Sequence, residues 1–128
     1  MTIILAILAT VAAPQLKCHE GPTQSDLNEC ADGEFRTADA AMNRQWAITA
    51  TKMKSWDIDL DRKTDKEPGY FDTLLAGQRA WIKFRDLHCT SVGYAARGGS
   101  MEPMLYAQCR AQLTRERKVQ LAELIETN

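Results

Sequence analysis

Charge imbalance is missing from this chain: sixteen Lys and Arg side chains oppose seventeen Asp and Glu among 128 residues, a formal net charge of -1. Without a basic patch or stripe there is no electrostatic footprint for nucleic acid or an anionic membrane surface, so neither is an expected partner. Two-residue alternation of apolar and polar positions between turn signals is missing as well, which argues against a sheet. Histidine is scarce, with only His19 and His88. Neither a GxSxG, HExxH or phosphate-loop motif nor a dinucleotide fingerprint occurs. Catalysis needs a nucleophile, an acid–base pair or a metal in a shaped pocket; the chain offers little of this, and no enzyme activity and no cofactor are expected. There are no internal repeats or low-complexity tracts, and the length leaves room for one domain with one modest core.

Long hydrophobic runs are absent too. The apolar run TIILAILATVAA at residues 2–13 is too short to span a bilayer. Its small residues Thr10, Ala12 and Ala13 fit a signal-peptidase site, with Pro14 moving the favoured cut to Ala12 or nearby, although no Lys or Arg precedes the run. Residues 1–13 are therefore expected to be a signal peptide, and residues 14–128 a single exported domain, periplasmic or secreted. Lipid attachment at Cys18 is disfavoured because Pro14-Gln15-Leu16-Lys17 lacks lipobox residues.

An exported chain keeps its cysteines oxidised. Cys18, Cys30, Cys89 and Cys109 permit three connectivities, and spacing alone does not choose among them. Cys18, His19, His88 and Cys89 offer a competing metal set, but adjacent Cys-His pairs lack the usual ligand spacing, and no metal is expected.

Helical periodicity organises the rest. Thr23 is an N-cap candidate with Asp26 in a capping-box-like position. From Leu27 the positions Ala31, Phe35, Ala38, Met42, Trp46, Thr49, Met53, Trp56 and Leu60 advance by three or four, one stripe of a long helix whose Trp46 and Trp56 belong to the core. Asp57 to Pro68 reads as a charged connection. Its opening Asp57, Asp59 and Asp61 imitate a calcium loop, but Arg62 and Pro68 stand where that loop needs Gly and Glu. A second helix is expected from about Tyr70 to Val92 or beyond, with Phe71, Leu74, Leu75, Gln78, Trp81, Ile82, Arg85, Cys89 and Val92 on one face. Gln78 and Arg85 then point inward. A buried guanidinium has to be paired, and Asp86 or Asp39 is the natural partner; outward snorkelling of Arg79, Lys83 and Arg85 is the alternative. Past Gly93, Gly98 and Gly99, Ser100 offers a third N-cap. A third helix follows, with Leu105, Cys109, Leu113, Arg117, Leu121 and Leu124 at helical spacing. Thr114 and Arg117 join Gln78, Arg85 and Asp86 as a candidate structural polar cluster. A ligand pocket lined by Trp81 and Met104 is a further possibility. The fold expected is all-α, an antiparallel bundle of three main helices with short extra turns.

The segment AGQRAWIKFRDLHC at Ala76 to Cys89, the turn at Gly98, Gly99 and Ser100, Cys109, the downstream Leu113, Thr114 and Arg117, and the upstream TQSDLNECA and DAAMN together resemble the bacterial LprI-type lysozyme-inhibitor-like family. The resemblance covers most of the chain after residue 17. It implies a cysteine-stapled helical fold, an envelope location and the pairings Cys18–Cys30 and Cys89–Cys109. It also implies a partner, a lysozyme or another envelope protein, and an effect, blockade of peptidoglycan cleavage. The exposed turn of Arg97, Gly98, Gly99 and Ser100 is the candidate partner-binding element, with Arg97 able to grip a carboxylate in two-pronged fashion. The competing roles are a plain glycine connector and a structural or accessory envelope protein.

Overall fold

The structure, a computed structural model, describes Cys18 and residues 20–126. The expected leader at residues 1–13, and His19, lie outside the described residues.

Three helices account for almost all of it. Helix α1 runs Gln24–Ile58, helix α2 Tyr70–Gly93 and helix α3 Glu102–Glu126, with a short 3₁₀ turn at Tyr94–Ala96. Among the described residues there is no strand, and no helix is long and apolar enough to cross a membrane. The chain runs up, down and up. Each consecutive pair is antiparallel, so α1 and α3 are parallel: Asn28 meets Ser100 near their starts and Thr49 meets Leu121 near their ends. The α1–α3 interface is the most extensive of the three.

The start of α1 is set by Thr23, whose hydroxyl oxygen accepts the Asp26 N–H at 3.1 Å. From there α1 continues unbroken for 35 residues, about 50 Å at 1.5 Å per residue. Of its predicted stripe, Ala31, Ala38, Met42, Thr49 and Met53 are buried, and Trp46 and Trp56 pack partly buried against the core. The helix takes in Asp57 and Ile58, so the charged connection starts at Asp59 rather than Asp57. Asp57 is held back for a reason: its two carboxylate oxygens accept the N–H groups of Tyr70 at 2.7 Å and Phe71 at 3.1 Å. A side chain 13 residues upstream thus supplies the anionic cap that the first turn of α2 needs. Gly69 leaves room for this cap, since a Cβ there would sit 2.8 Å from the Asp57 carboxylate and push it aside.

Three expectations shift. On α2, Ile82 and Val92 are exposed, since α2 packs mainly on α3 and buries a narrower face. On α3 the buried positions are Met104, Ala107, Ala111, Thr114 and Leu121, while Leu105, Leu113 and Arg117 sit half-exposed on the shoulder and Leu124 is exposed. Small residues let α3 approach α1 closely, with Ala31 and Ala107 in one buried cluster. Ser100 also fails to serve as the α3 cap; the first i→i−4 bond is donated by Leu105 N–H to the Met101 carbonyl, one residue further on.

The core has two parts. Met42, Ala50, Met53, Leu74 and Leu121 form one, with Trp46, Trp56, Phe71, Trp81 and Ile125 against it. Cys18, Ala31, Met104 and Ala107 form the other. A polar layer lies between them.

Candidate functional site

That layer is built on Arg85. The residue is 5% exposed, so its charge has to be compensated from within. Its Nε donates to Asp86 Oδ1 at 2.9 Å, and Nη1 donates to Thr114 Oγ1 at 3.2 Å and Asp39 Oδ1 at 3.4 Å. All three helices therefore contribute to one guanidinium. Two turns nearer the start of α2, Arg117 Nε donates to Gln78 Oε1 at 2.9 Å and Nη1 to Gln120 Oε1 at 3.2 Å, while the buried Gln78 amide turns its Nε2 toward Met42 Sδ. Burial lowers the pKa of the Arg117 guanidinium from its ordinary value. The sequence-derived set of Gln78, Arg85, Asp86, Thr114 and Arg117 thus falls into two linked groups rather than one.

Aromatic rings connect these groups in a way that periodicity does not reveal. Tyr106, Arg110, Phe35, Arg85, Trp81 and Arg117 alternate as ring and guanidinium, with centroid distances from 3.7 Å at Arg110 on Phe35 to 5.8 Å at Arg117 on Trp81. Flat guanidinium faces are weakly hydrated and stack well on rings. Among the described residues the buried Arg110 Nε has no hydrogen-bond acceptor, and the guanidinium lies over the rings of Phe35 and Tyr106. The pairing of Arg110 with the ring of Phe35 has no linear signal, because spacing on two different helices does not say which side chains meet.

The turn after α2 lies at one end of the bundle. All five residues from Arg97 to Met101 are exposed. Gly98 has φ +77°, a conformation that side chains other than glycine resist. Its N–H donates to Glu102 Oε2 at 2.7 Å, the Gly99 N–H donates to the Ala96 carbonyl at 2.8 Å, and Asn28 Nδ2 reaches across from α1 to the Ser100 carbonyl at 2.9 Å. The Arg97 guanidinium lies over the Tyr94 ring at 4.5 Å. Beneath the turn is a hollow of about 480 Å³ lined by Thr90, Gly93, Gly98, Gly99, Glu102, Pro103 and Tyr106; neither Trp81 nor Met104 borders it.

Two disulfides pin this end. Cys89–Cys109 ties α2 to α3 across the turn, and Cys18–Cys30 ties the chain before α1 to that helix, each with Cα atoms 5.4 Å apart. Cys18, Cys30 and Glu34 are close enough together to resemble a metal set, but both thiols are consumed in the bridge. The same holds for Cys89 in the alternative considered from sequence, and His88 there stacks on Phe84 at 5.3 Å.

A protein 41% identical over 119 residues, spanning 93% of this chain and 86% of its own, occurs in Rhizobium meliloti (strain 1021) and is described as uncharacterized. No solved structure matches. A family model described as lysozyme inhibitor LprI matches residues 17–121, from the edge of the first disulfide to the buried Leu121 of α3. The chain belongs to the lysozyme inhibitor LprI family.

Proposed function

We propose that this protein is an exported inhibitor that blocks a lysozyme by presenting the turn Arg97, Gly98, Gly99 and Ser100 to the enzyme's cleft. The observation that carries the reading is the bracing of that turn: exposed along its length, it is tied by Glu102 on one side and Asn28 on the other. A loop already in its bound shape avoids an ordering penalty of about 0.5–1.5 kcal/mol per immobilised side chain. Enzymes of the lysozyme type cleave with a pair of carboxylates, and a guanidinium is the side chain that pairs with a carboxylate through two parallel hydrogen bonds. Among the described residues Arg97 forms no ion pair, which leaves it free for that contact.

The disulfides fit an oxidising compartment, and family membership points the same way, so residues 1–13 serve as the leader of a periplasmic or secreted domain in this reading. Binding, rather than catalysis, is the role.

The test is lysis of a peptidoglycan suspension by a panel of lysozymes, with the mature protein oxidised or reduced. Stoichiometric inhibition by the oxidised form is expected. Arg97→Ala, with an unchanged melting temperature, is expected to weaken it about 30-fold, the roughly 2 kcal/mol lost on truncating an interface hot spot. Inhibition untouched by Arg97→Ala would remove the turn from the interface. No inhibition across the panel by folded protein would leave the turn as a connector and the protein as a structural or accessory component of the envelope.

A further inference from the structure

The end of the bundle away from the disulfides holds a groove of about 540 Å³ between α2, the tail of α3 and the 59–69 connection, well within the size of a small-ligand site. Met53, Leu74 and Leu124 supply apolar walls, and Gly77 opens one side, where an added Cβ would find nothing within 4 Å.

Charges of opposite sign border this apolar space without neutralising one another. Arg117 lines it, and among the described residues its guanidinium donates to the uncharged amide oxygens of Gln78 and Gln120. Asp65 and Glu67 line it from the connection. Asp65 spends one carboxylate oxygen on the Glu67 N–H at 2.9 Å. Arg62 and Lys66 bond to backbone carbonyls of the same loop, at Glu67 and Arg62. Among the described residues neither Asp65, Glu67 nor Arg117 forms an ion pair within 4.0 Å. A half-buried cation with no counter-ion is unfavourable in the empty groove and gains from an incoming anion.

The stretch of backbone bordering the groove gives the scale of a ligand. From Gly69 to Gln78, which holds Arg117, the chain advances nine residues, about 13 Å at 1.5 Å per residue, a length that an extended peptide covers with about three to four residues.

We propose that this groove binds a short apolar peptide with free termini, its carboxylate on Arg117 and its ammonium group at Asp65 and Glu67. Its side chains lie against Met53, Leu74 and Leu124. The site is separate from the Arg97 turn and does not rest on lysozyme inhibition.

The test uses the full oxidised chain and the tripeptide leucyl-alanyl-leucine, followed by titration calorimetry and backbone NMR. Saturable binding is expected, with shifts confined to the groove. N-acetylation and C-amidation of the tripeptide each remove one pole without touching the protein's fold, and each is expected to weaken binding at least 10-fold. Gly77→Leu fills the open side of the groove and is expected to abolish binding without lowering the melting temperature or altering any lysozyme inhibition. The proposal is overturned if the millimolar tripeptide leaves the groove resonances unmoved. It is equally overturned if the doubly capped peptide binds as well as the free one, or if Gly77→Leu binds like the unaltered protein.

Discussion

Arg85→Ala tests the polar layer most directly. The substitution removes a charge-assisted bond to Asp86, a second to Asp39, the bond to Thr114, and ring contacts at 5.1 Å and 5.2 Å from Phe35 and Trp81. A bond to a charged group contributes about 1.5–3 kcal/mol. That has to be discounted here, because the Asp39 and Asp86 side chains are 37% and 40% exposed and regain water once released. The buried stem adds a cavity penalty of the large-to-small kind, about 2 kcal/mol at its lower end. These losses overlap, and the expected total is about 3 kcal/mol, near 12 °C in melting temperature for a domain of this size. Arg85→Met keeps the stem and fills most of the space, so about 1–2 kcal/mol is expected. Urea unfolding with the bridges intact measures both, provided the transition is two-state. An Arg85→Ala loss below about 1 kcal/mol would refute the reasoning, since that is how a guanidinium snorkelling into water behaves.

Three other substitutions probe single contacts. Asp57→Ala removes the carboxylate that caps α2, and a loss of about 1 kcal/mol is expected by thermal melting. Gly98→Ala places a Cβ at φ +77°; about 1–2 kcal/mol should be lost, together with lysozyme inhibition if the braced turn carries it. Thr49→Val deletes the buried bond from Oγ1 to the Leu121 carbonyl at 2.9 Å and should cost about 1 kcal/mol in urea unfolding.

Different parts of this molecule announce themselves with different clarity. The α1 stripe is readable because its large members, Met42, Trp46, Met53 and Trp56, carry the 3.6-residue period themselves. Inward placement of Gln78 and Arg85 follows from the same period. Helix α3 misleads because its contact face uses Ala107 and Ala111, whose small size is what brings the helices close, while Leu105 and Leu113 draw attention to the flank. The Asp57 cap escapes notice because its partners are 13 and 14 residues away, beyond any local capping rule. Neither Asn28 at the glycine turn nor Arg110 on Phe35 has a linear signal at all. Both contacts exist only once α1 and α3 lie side by side.

Both disulfides sit at one end of a bundle about 50 Å long, so reduction should not loosen the molecule evenly. The loop closed by Cys89–Cys109 contains 20 residues of separation and that of Cys18–Cys30 contains 12; chain entropy assigns each about 3 kcal/mol. Around the glycine turn apolar packing is thin, because the second core cluster rests on Cys18, Ala31, Met104 and Ala107. The opposite end relies on Met42, Met53, Leu74, Leu121 and three tryptophans, together with the Asp57 cap, none of which depends on a disulfide. Local opening follows local contact density. In reduced protein kept below its melting temperature, amide exchange is therefore expected to accelerate from Cys89 to Cys109 and at the start of α1, while Thr49 to Trp56 of α1 and Leu74 to Gln78 of α2 stay protected. Uniform acceleration along the chain would show that the two core clusters unfold as one unit. The polar layer on Arg85 would then be a coupling between the ends rather than a division.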